Sequence, residues 1–299
     1  MLSRKDIENE LGKGINIYPL HSNNIKGNSI NFTIGKNAWS LGRGQVIKDT
    51  NGKWTIAPKE NGGRKKTDIM PGKSSIISDG KRKILILLPH TTTIVETSEV
   101  IGVNNYIGGT LHSKVGMVSK GVGDIGTMLG PGFCGHLMIS LHNVTDEVIE
   151  LNVGETFVSL VFYYLKTPDD TKNTNVSGHV DKLAELGIQI SQDTREYLMA
   201  DWKMSLNGIK NRMIESDEYK TLQQRKKKEK DAIIRSFFNW QNCLIVVICL
   251  IVIIIMVLGA KKLDLYTGKN DWSNRAFTII MSGIIIPLIM KSGKLIKRR

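Results

Sequence analysis

Two stretches, residues 130–143 (GPGFCGHLMISLHN) and residues 153–165 (VGETFVSLVFYYL), decide the fold class of this chain. Each begins with a glycine-containing turn and continues into an apolar or alternating run, which is typical of a β-strand. Similar short runs recur between residues 15 and 165, among them INFTI, KILILL and TTTIVE. Short strands at this spacing, separated by Gly, Asn, Pro and Asp, predict a mainly β barrel or sandwich.

The strand predicted over residues 136–142 has two different faces. Because side chains alternate along a strand, His136, Met138, Ser140 and His142 share one face, and the apolar residues between them should belong to the core. The polar face is either the wall of a binding site or a solvated surface, and the sequence favours neither. Two histidines six residues apart on a strand, with no carboxylate or cysteine completing the set, do not predict a metal site.

Helical patterns flank the β region. Ser3 followed by Asp6 predicts a capped helix from Arg4 to Leu11. After a polar linker, apolar residues recur at steps of three and four and form one helical face: Leu198, Trp202, Leu206, Ile209 and Met213. We interpret residues 181–240 as a helical stalk. The pattern does not decide whether its apolar face packs on the β region or on other copies of the chain.

Two apolar runs follow the predicted stalk. Residues 243–260 contain no charged side chain and have about the minimum length of a membrane-spanning helix, although a buried core helix is an alternative. Residues 276–290 are shorter and contain Pro287. Together the two runs predict a two-span transmembrane hairpin, with Trp240 and Trp272 at the membrane interfaces.

The net charge of +13 is concentrated near the C-terminus, where residues 225–299 hold 15 Lys and Arg against 4 Asp and Glu. Basic clusters beside apolar spans are typical of cytoplasmic anchors, so the partner expected is a lipid bilayer rather than nucleic acid. We therefore expect a cell-membrane protein whose soluble domain and C-terminus are cytosolic. Its three cysteines form no disulfide pattern, and MLSRKDIENELGKG is not a signal peptide.

Four motifs in order resemble the dCTP deaminase and dUTPase superfamily. The two stretches quoted first are similar to that family's Asp-Pro-Gly-aromatic-x-Gly run with its strand, and to its Gly-Gln-like turn with the final strand. Upstream, SKVGMVSKGV is similar to Gly-Arg-Ser-Ser-Leu-Ala-Arg-x-Gly, and NSINFTIG is similar to Ser-x-Asp-x-Arg-x-Gly. LSRKDIENEL resembles the opening helix of the deaminases. The resemblance covers about residues 1–166 and excludes the stalk and the hairpin.

The resemblance implies a distorted jelly-roll β barrel and a homotrimer with nucleotide sites between subunits. It also implies action on dCTP or dUTP, with Mg²⁺ on the phosphates. The expected organisation is a β domain over residues 1–166, a linker and helical stalk over 167–242, the transmembrane hairpin over 243–290, and a basic cytosolic tail over 291–299.

The departures from the family pattern concern its catalytic carboxylates. Gly130 stands at the family aspartate before Pro-Gly, and Ser140 stands at the deaminase glutamate that activates water. Asn31 and Thr33 replace the Asp and Arg of the opening strand. Neither Gly nor Ser can act as a general base. Asp124 is the nearest remaining acid, and it is either a substitute base or a residue that caps a turn.

The phosphate motif has also diverged. Lys114 stands at its first arginine, Val115 at its first serine and Ser119 at its second arginine, although a shift of a residue or two would put Lys120 in a phosphate role. The Gly-rich segment is not a P-loop, because it lacks the GxxxxGK[ST] pattern and precedes a strand. The nucleotide-binding residues that the resemblance implies are Ser113, Lys114, Ser119, Lys120, Gly132, His136 and Ser140.

Three functions remain open on the sequence. The first is a membrane-anchored trimeric sensor or effector that binds a nucleotide without family catalysis, by analogy with bacterial antiviral defence. The second is an active dUTP diphosphatase or dCTP deaminase with displaced catalytic groups. The third is a trimeric membrane scaffold that binds no ligand.

Overall fold

A computed structural model describes residues 1–58, 65–124, 126–169 and 180–237. Beyond these it describes residues 251, 253–255, 257–262, 264–266, 268 and 275. The chain forms two compact units, Met1–Gln223 and Gln224–Arg299. All strands found among the described residues belong to the first unit.

Strands and helices of the described residues are numbered in chain order. The strands are β1 Ile15–Tyr18, β2 Ser29–Ser40, β3 Gly44–Lys48, β4 Trp54–Ile56, β5 Thr67–Ile69, β6 Ile76–Asp79, β7 Arg82–Leu87, β8 Thr92–Val103, β9 Ile107–Ser113, β10 Val122–Asp124, β11 Met128–Leu129, β12 Cys134–Asn143, β13 Ile149–Asn152 and β14 Thr156–Tyr164. The helices are α1 Arg4–Glu10, α2 Val115–Val118, α3 Val180–Glu185, α4 Gln192–Leu198, α5 Leu206–Glu215 and α6 Asp217–Phe237, with 3-10 turns at Ser22–Asn24 and Asp201–Lys203.

The strands form one large antiparallel sheet and two small ones. The large sheet has the order β10-β12-β8-β2-β14-β9-β11, and β1 also pairs with β8. The small sheets have the orders β13-β7-β6 and β4-β3-β5. The predicted mainly β class is therefore confirmed.

The main core lies against one face of the large sheet. Its largest fully buried side chains include Phe32, Phe157 and Phe162. The alternation predicted for β12 is present, because Leu137, Ile139 and Leu141 belong to this core. Full burial of each such side chain contributes about 1.5–3 kcal/mol to folding, which explains why the register of the strand is fixed.

The opening helix is held by the capping interactions that the sequence predicts. The Ser3 hydroxyl accepts a hydrogen bond from the Asp6 backbone N–H at 3.3 Å, and the Asp6 carboxylate accepts one from the Ser3 N–H at 2.9 Å. Ile7 is fully buried, and the Leu2 N–H donates to the Phe162 carbonyl at 2.8 Å. Helix α1 therefore closes one edge of the core.

The residues of the helical face predicted between 198 and 213 pack on the β region, but they do not form one helix: α4 ends at Leu198, Trp202 lies in a 3-10 turn, and α5 begins at Leu206. Ile209 and Met213 of α5 are completely buried. The Trp202 ring meets the Tyr18 ring edge-on, with 5.6 Å between the ring centroids. Within the first unit, the helices of the segment interpreted as a stalk therefore lie along the sheet, which answers the question that the periodicity left open.

The prediction of two transmembrane helices is contradicted. None of the helices formed by the described residues combines the length and apolarity that a membrane crossing requires. Helix α6 has 21 residues, but charged side chains occupy much of its length. Most of residues 243–260 and all of residues 276–290 lie outside the described residues. The same finding contradicts the predicted cell-membrane localisation, and no helix of the described residues supports the predicted lipid partner.

We predict that Gly208→Ala destabilises the attachment of α5. A Cβ atom at Gly208 would come within 2.7 Å of the Trp202 Cα atom, closer than real contacts allow. Overpacking of this kind costs about 1–3 kcal/mol, so the midpoint of thermal unfolding should fall by several degrees. Gly27→Ala is the control, because nothing lies within 4 Å of its added Cβ atom. Equal midpoints for the two variants would contradict the tight contact.

Candidate functional site

A cleft of about 430 Å³ lies where β12 meets helix α3. Strand residues supply most of its wall, and Lys182, Leu183 and Leu186 supply the helical side. Gly130 and Ser140, the two positions at which the sequence resemblance expects carboxylates, both line it. The structure therefore brings these two predicted positions together in one cleft.

The wall of this cleft is predominantly apolar. Its remaining members are Ile94, Leu111, Gly126, Thr127, Met128, Leu129, Phe133, Leu137, Met138 and Ile139. Among the lining residues that the structure describes there is neither an acidic side chain nor a histidine, and Lys182 is the one ionisable group. Such a wall can accept a planar or apolar group, but it offers no general base.

Asp124, the candidate substitute base, lies on β10. Its backbone pairs with Leu141 of β12, the residue after Ser140. Its side chain is outside the part of the chain that the structure describes.

Lys114 lies beside a second, polar pocket of about 280 Å³. It caps the N-terminus of α2, and its ammonium group donates a hydrogen bond to the Thr156 hydroxyl, which lines the pocket. Thr33 also lines it, and its backbone N–H and hydroxyl donate to the buried Glu99 carboxylate at 2.9 and 3.0 Å. The other lining residues are His21, Ser22, Asn23, Asn24, Gly154 and Glu218.

The other predicted nucleotide-binding residues are spread over several places. Ser113 ends β9 beside Lys114, and the Ser119 hydroxyl donates to the Val115 carbonyl at 2.6 Å. Lys120 lies 3.6 Å from the Glu155 carboxylate. The Gly132 N–H donates to the Asn104 carbonyl, away from this group in sequence. In a single chain, Ser140 lines the cleft, whereas Lys114 of the phosphate motif bonds to Thr156, which lines the polar pocket.

His136 belongs to neither cavity but to a buried polar cluster. Its side chain is 2% exposed. Nδ1 donates to the Thr97 carbonyl at 2.8 Å, and Nε2 accepts from the Lys203 ammonium at 2.9 Å. Glu96 Oε1 lies 3.2 Å from Nδ1, but that proton is already directed at the carbonyl. In the single chain, His136 is therefore buried in this cluster and lines neither cavity.

Residues from three parts of the first unit complete this cluster. Glu96 of β8 is fully buried and accepts from the Asn37 amide at 2.6 Å and from the Tyr197 hydroxyl. Lys203 is 3% exposed and also donates to the Tyr197 carbonyl at 2.5 Å. The ammonium groups of Lys36 and Lys203 lie 3.4 and 3.3 Å from the Tyr197 ring centroid.

Burial sets the protonation of the cluster. Desolvation raises the pKa of Glu96 to about 7 and lowers the pKa of His136 to about 3, and the charge of Lys203 further opposes a charged imidazole. Desolvation also lowers the pKa of Lys203 to about 8. Near neutral pH, His136 is therefore a neutral acceptor for a charged Lys203.

Sequence reasoning missed Glu96, Tyr197 and Lys203. One signal was available, because Glu96 and Glu99 interrupt a run of β-branched residues in the segment that became β8. A carboxylate inside a buried strand needs hydrogen-bond donors. The sequence cannot identify those donors, since Lys203 is more than a hundred residues away.

Comparison with known proteins agrees with the motif order. A family model described as dCTP deaminase-like matches residues 1–165 of this chain. This chain belongs to the dCTP deaminase-like family. The match covers the whole β region, including the strands that line the cleft and the polar pocket, and it ends before α3.

Individual members of the family are distant. The dCTP deaminase of Pyrococcus furiosus is 27% identical over 96 residues, which are 32% of this chain and 62% of that protein. The dCTP deaminase of Pyrococcus horikoshii is 24% identical over 106 residues, which are 34% of this chain and 68% of that protein. The match thus spans about three fifths of the length of the first of these relatives.

Among solved structures, this chain aligns with a dCTP deaminase and a dUTPase. The dCTP deaminase from Agrobacterium tumefaciens aligns with a TM-score of 0.37 and 13% identity, covering 54% of this chain and 47% of that chain. The dUTPase of Staphylococcus bacteriophage 80alpha, as its Y84I mutant, aligns with a TM-score of 0.26 and 15% identity, covering 43% and 93%.

We predict that Glu96→Gln changes the pH dependence of stability. The folded state raises the pKa of Glu96 from 4.5 to about 7, so it gains stability from this group as pH falls from 7 to 4.5. His136 acts oppositely, because its stabilisation is complete above pH 6.5 and is lost as pH falls towards 3. Across the upper window the two titrations therefore offset each other in the wild type.

Thermal unfolding of the wild type and Glu96→Gln between pH 7.5 and 4.5 tests this. The free energies of unfolding of the two proteins are compared at one common temperature at each pH. The wild type should gain on the variant by roughly 3 kcal/mol as pH falls through this range. Glu147→Gln, whose carboxylate is 71% exposed, serves as the control and should show no such divergence. A pH-independent difference for Glu96→Gln would mean that this carboxylate does not titrate in the window.

Proposed function

We propose that this dCTP deaminase-like protein binds a nucleotide and lacks the catalysis of the enzymes that the family is named for. One observation carries the proposal: Gly130 and Ser140 line a single cleft whose described wall contains no carboxylate and no histidine. The cleft has kept the space for a ligand, while the groups that would activate water are absent from its described wall.

Hydrolytic deamination and phosphate-ester cleavage both use water that a general base has activated. Such a base typically contributes 10²–10⁴-fold to the rate. The Ser140 hydroxyl does not ionise near neutral pH, and Gly130 has no side chain. Lys182 lies on the helical side of the cleft, where its side-chain nitrogen is 3.1 Å from the Glu185 carboxylate.

Lys114 is the residue that we assign to the phosphates. Its ammonium points towards Thr156 at the polar pocket, and the side chain is only partly buried, so an anion can reach it. A lysine binds phosphate as a point charge rather than as a bidentate fork. We expect weaker geometric selectivity than an arginine at this position would give. Mg²⁺ would enter with the phosphates, as the resemblance implies.

A homotrimer would complete this site. In one chain Ser140 lines the cleft and Lys114 bonds to Thr156 at the separate polar pocket, so a single ligand would need the cleft of one subunit and the phosphate-motif residues of another. The family resemblance implies sites of this kind between subunits. We therefore propose a shared site, completed by Ser113, Ser119, Lys120 and Gly132. In this proposal His136 has only a structural role, as a buried residue of β12.

We predict that the purified full chain turns over dCTP and dUTP at least about 100-fold more slowly than an enzyme with a general base. Product formation with either nucleotide, followed by chromatography, measures this. Ser140→Glu restores a carboxylate to the cleft, and an increase in rate over the wild type would show that only the base was missing. Robust wild-type turnover abolished by Asp124→Asn would contradict the proposal and identify a displaced base.

We predict that Lys114→Ala weakens nucleotide binding by about 10- to 100-fold, since a hydrogen bond to a charged group contributes roughly 1.5–3 kcal/mol. Calorimetric titration with dUTP and dCTP at low salt measures the affinity. The loss should shrink at high salt, because screening weakens the native contact. Lys73→Ala, an exposed lysine remote in sequence from the motif, is the control.

Two results would count against this assignment. Equal affinities of wild type and Lys114→Ala would remove Lys114 from the site and make Lys120 the next residue to test. A monomer in light scattering at micromolar concentration would contradict a site shared between subunits. Absence of any binding, with no turnover, would favour the alternative of a scaffold without a ligand.

A further inference from the structure

The helical segment of residues 180–204 covers the outer face of the large sheet. Its buried side chains pack with Trp39 of β2 and Ile94 of β8 in a hydrophobic cluster separate from the main core. The segment contributes Val180, Leu183, Ile188 and Leu198 to that cluster. None of these four residues lies in the part of the chain matched by the family model, which ends at residue 165.

One end of this segment closes the cleft. Leu183 of α3 and Leu186 of the turn that follows it line the same space as Ser140. The helix stops sharply, because Gly187 adopts a left-handed φ of 73° and the Ile188 N–H bonds back to the Leu183 carbonyl at 2.9 Å. The turn directs the chain down to the sheet, so that Leu183 is held both in the cluster and in the cleft wall.

The other end is fastened by a buried charge. The Lys203 ammonium bridges the Tyr197 carbonyl on the segment and His136 Nε2 on β12. The Tyr197 hydroxyl in turn donates to the Glu96 carboxylate on β8. A buried ammonium is costly unless its hydrogen bonds are made, so the segment can lie flat only while these acceptors are in place.

The two ends communicate through shared residues. Ile94, Leu183 and Met138 belong both to the cleft wall and to the hydrophobic cluster that contains Tyr197. Met138 is two residues from His136 on β12, and the pairing of β12 with β8 shifts register between them. A displacement at Lys203 therefore changes the packing that forms the roof of the cleft.

We propose that residues 180–204 form a latch that closes the cleft at Ser140 and is fastened by Lys203 between His136 and Tyr197. The latch regulates the site assigned above, and in that respect it rests on the proposed function. Closure excludes water and fixes the roof formed by Leu183 and Leu186. A ligand in the cleft and the fastened latch stabilise each other, because both require the same packing around Met138.

Hydrogen exchange of the full chain without ligand tests the latch directly. His136→Leu removes one of the two hydrogen-bond acceptors of the buried Lys203 ammonium, and exchange of amides in residues 180–204 should accelerate at least tenfold. Lys203→Met removes the buried charge with little change in volume. In the double variant His136→Leu/Lys203→Met the acceleration should be at least threefold smaller than in His136→Leu alone. Lys220→Met, an exposed lysine beside Asp217, is the matched control.

The pattern of exchange decides the outcome. Acceleration confined to residues 180–204 and the adjoining face of β12 supports the latch. Unchanged exchange, or equal acceleration throughout β2, β8 and β14, would overturn it, since the latter is global destabilisation. If His136→Leu accelerates exchange equally in the wild type and in the Lys203→Met background, the effect does not pass through the contact between His136 and Lys203, and the proposed fastening is wrong.

Titration with dUTP and dCTP supplies the second arm. Ligand binding should slow exchange in residues 180–188, and His136→Leu should weaken affinity. If no nucleotide binds the wild type, the proposed function fails while the ligand-free exchange experiment still decides the latch. If nucleotide binds without protecting residues 180–188, the latch does not close over the ligand and this inference is wrong.

Discussion

The antiparallel ladder between β8 and β12 supports both the cleft and the buried cluster. It places Ser140 opposite Ile94 and His136 opposite Val100, and its register shifts between His136 and Met138. Residues on the inner face of β12 enter the main core, so the register cannot slip without exposing Leu137, Ile139 and Leu141. The outer face is thereby fixed, with His136 turned towards Glu96 and Ser140 towards the cleft.

The chain has Gly130 and Ser140 where the resemblance expects carboxylates, and it holds other carboxylates inside the same sheet. Glu96 and Glu99 are both buried on β8, where hydrogen bonds from Asn37, Tyr197 and Thr33 compensate their desolvation. The carboxylates of Glu96 and Glu99 are directed at these hydrogen-bond donors and not at the cleft. The first unit therefore uses buried charge to attach its helical segment, and the described strand wall of the cleft carries no ionisable group.

Short-range sequence patterns predicted the elements that depend on interactions between residues close together in the chain. The capping box at Ser3 and Asp6, the alternation along β12 and the helical face from Leu198 to Met213 all depend on spacing within a few residues. The prediction of transmembrane helices from apolar runs and their flanking residues was wrong, because no helix of the described residues has the required length and apolarity. His136 was placed on the correct face of β12, but its partner Lys203 could not be predicted from that face.

The sequence by itself determined the mainly β class, the family and the absence of carboxylates at positions 130 and 140, because these follow from residue identity and short-range order. The tertiary structure alone decided that Gly130 and Ser140 share a cleft, that Lys114 bonds to a residue of a different cavity, and that residues 180–204 cover the sheet. Those arrangements depend on contacts between residues far apart in the chain. Such contacts are selected by packing and by the partners that buried polar groups require, and neither leaves a periodic pattern in the sequence.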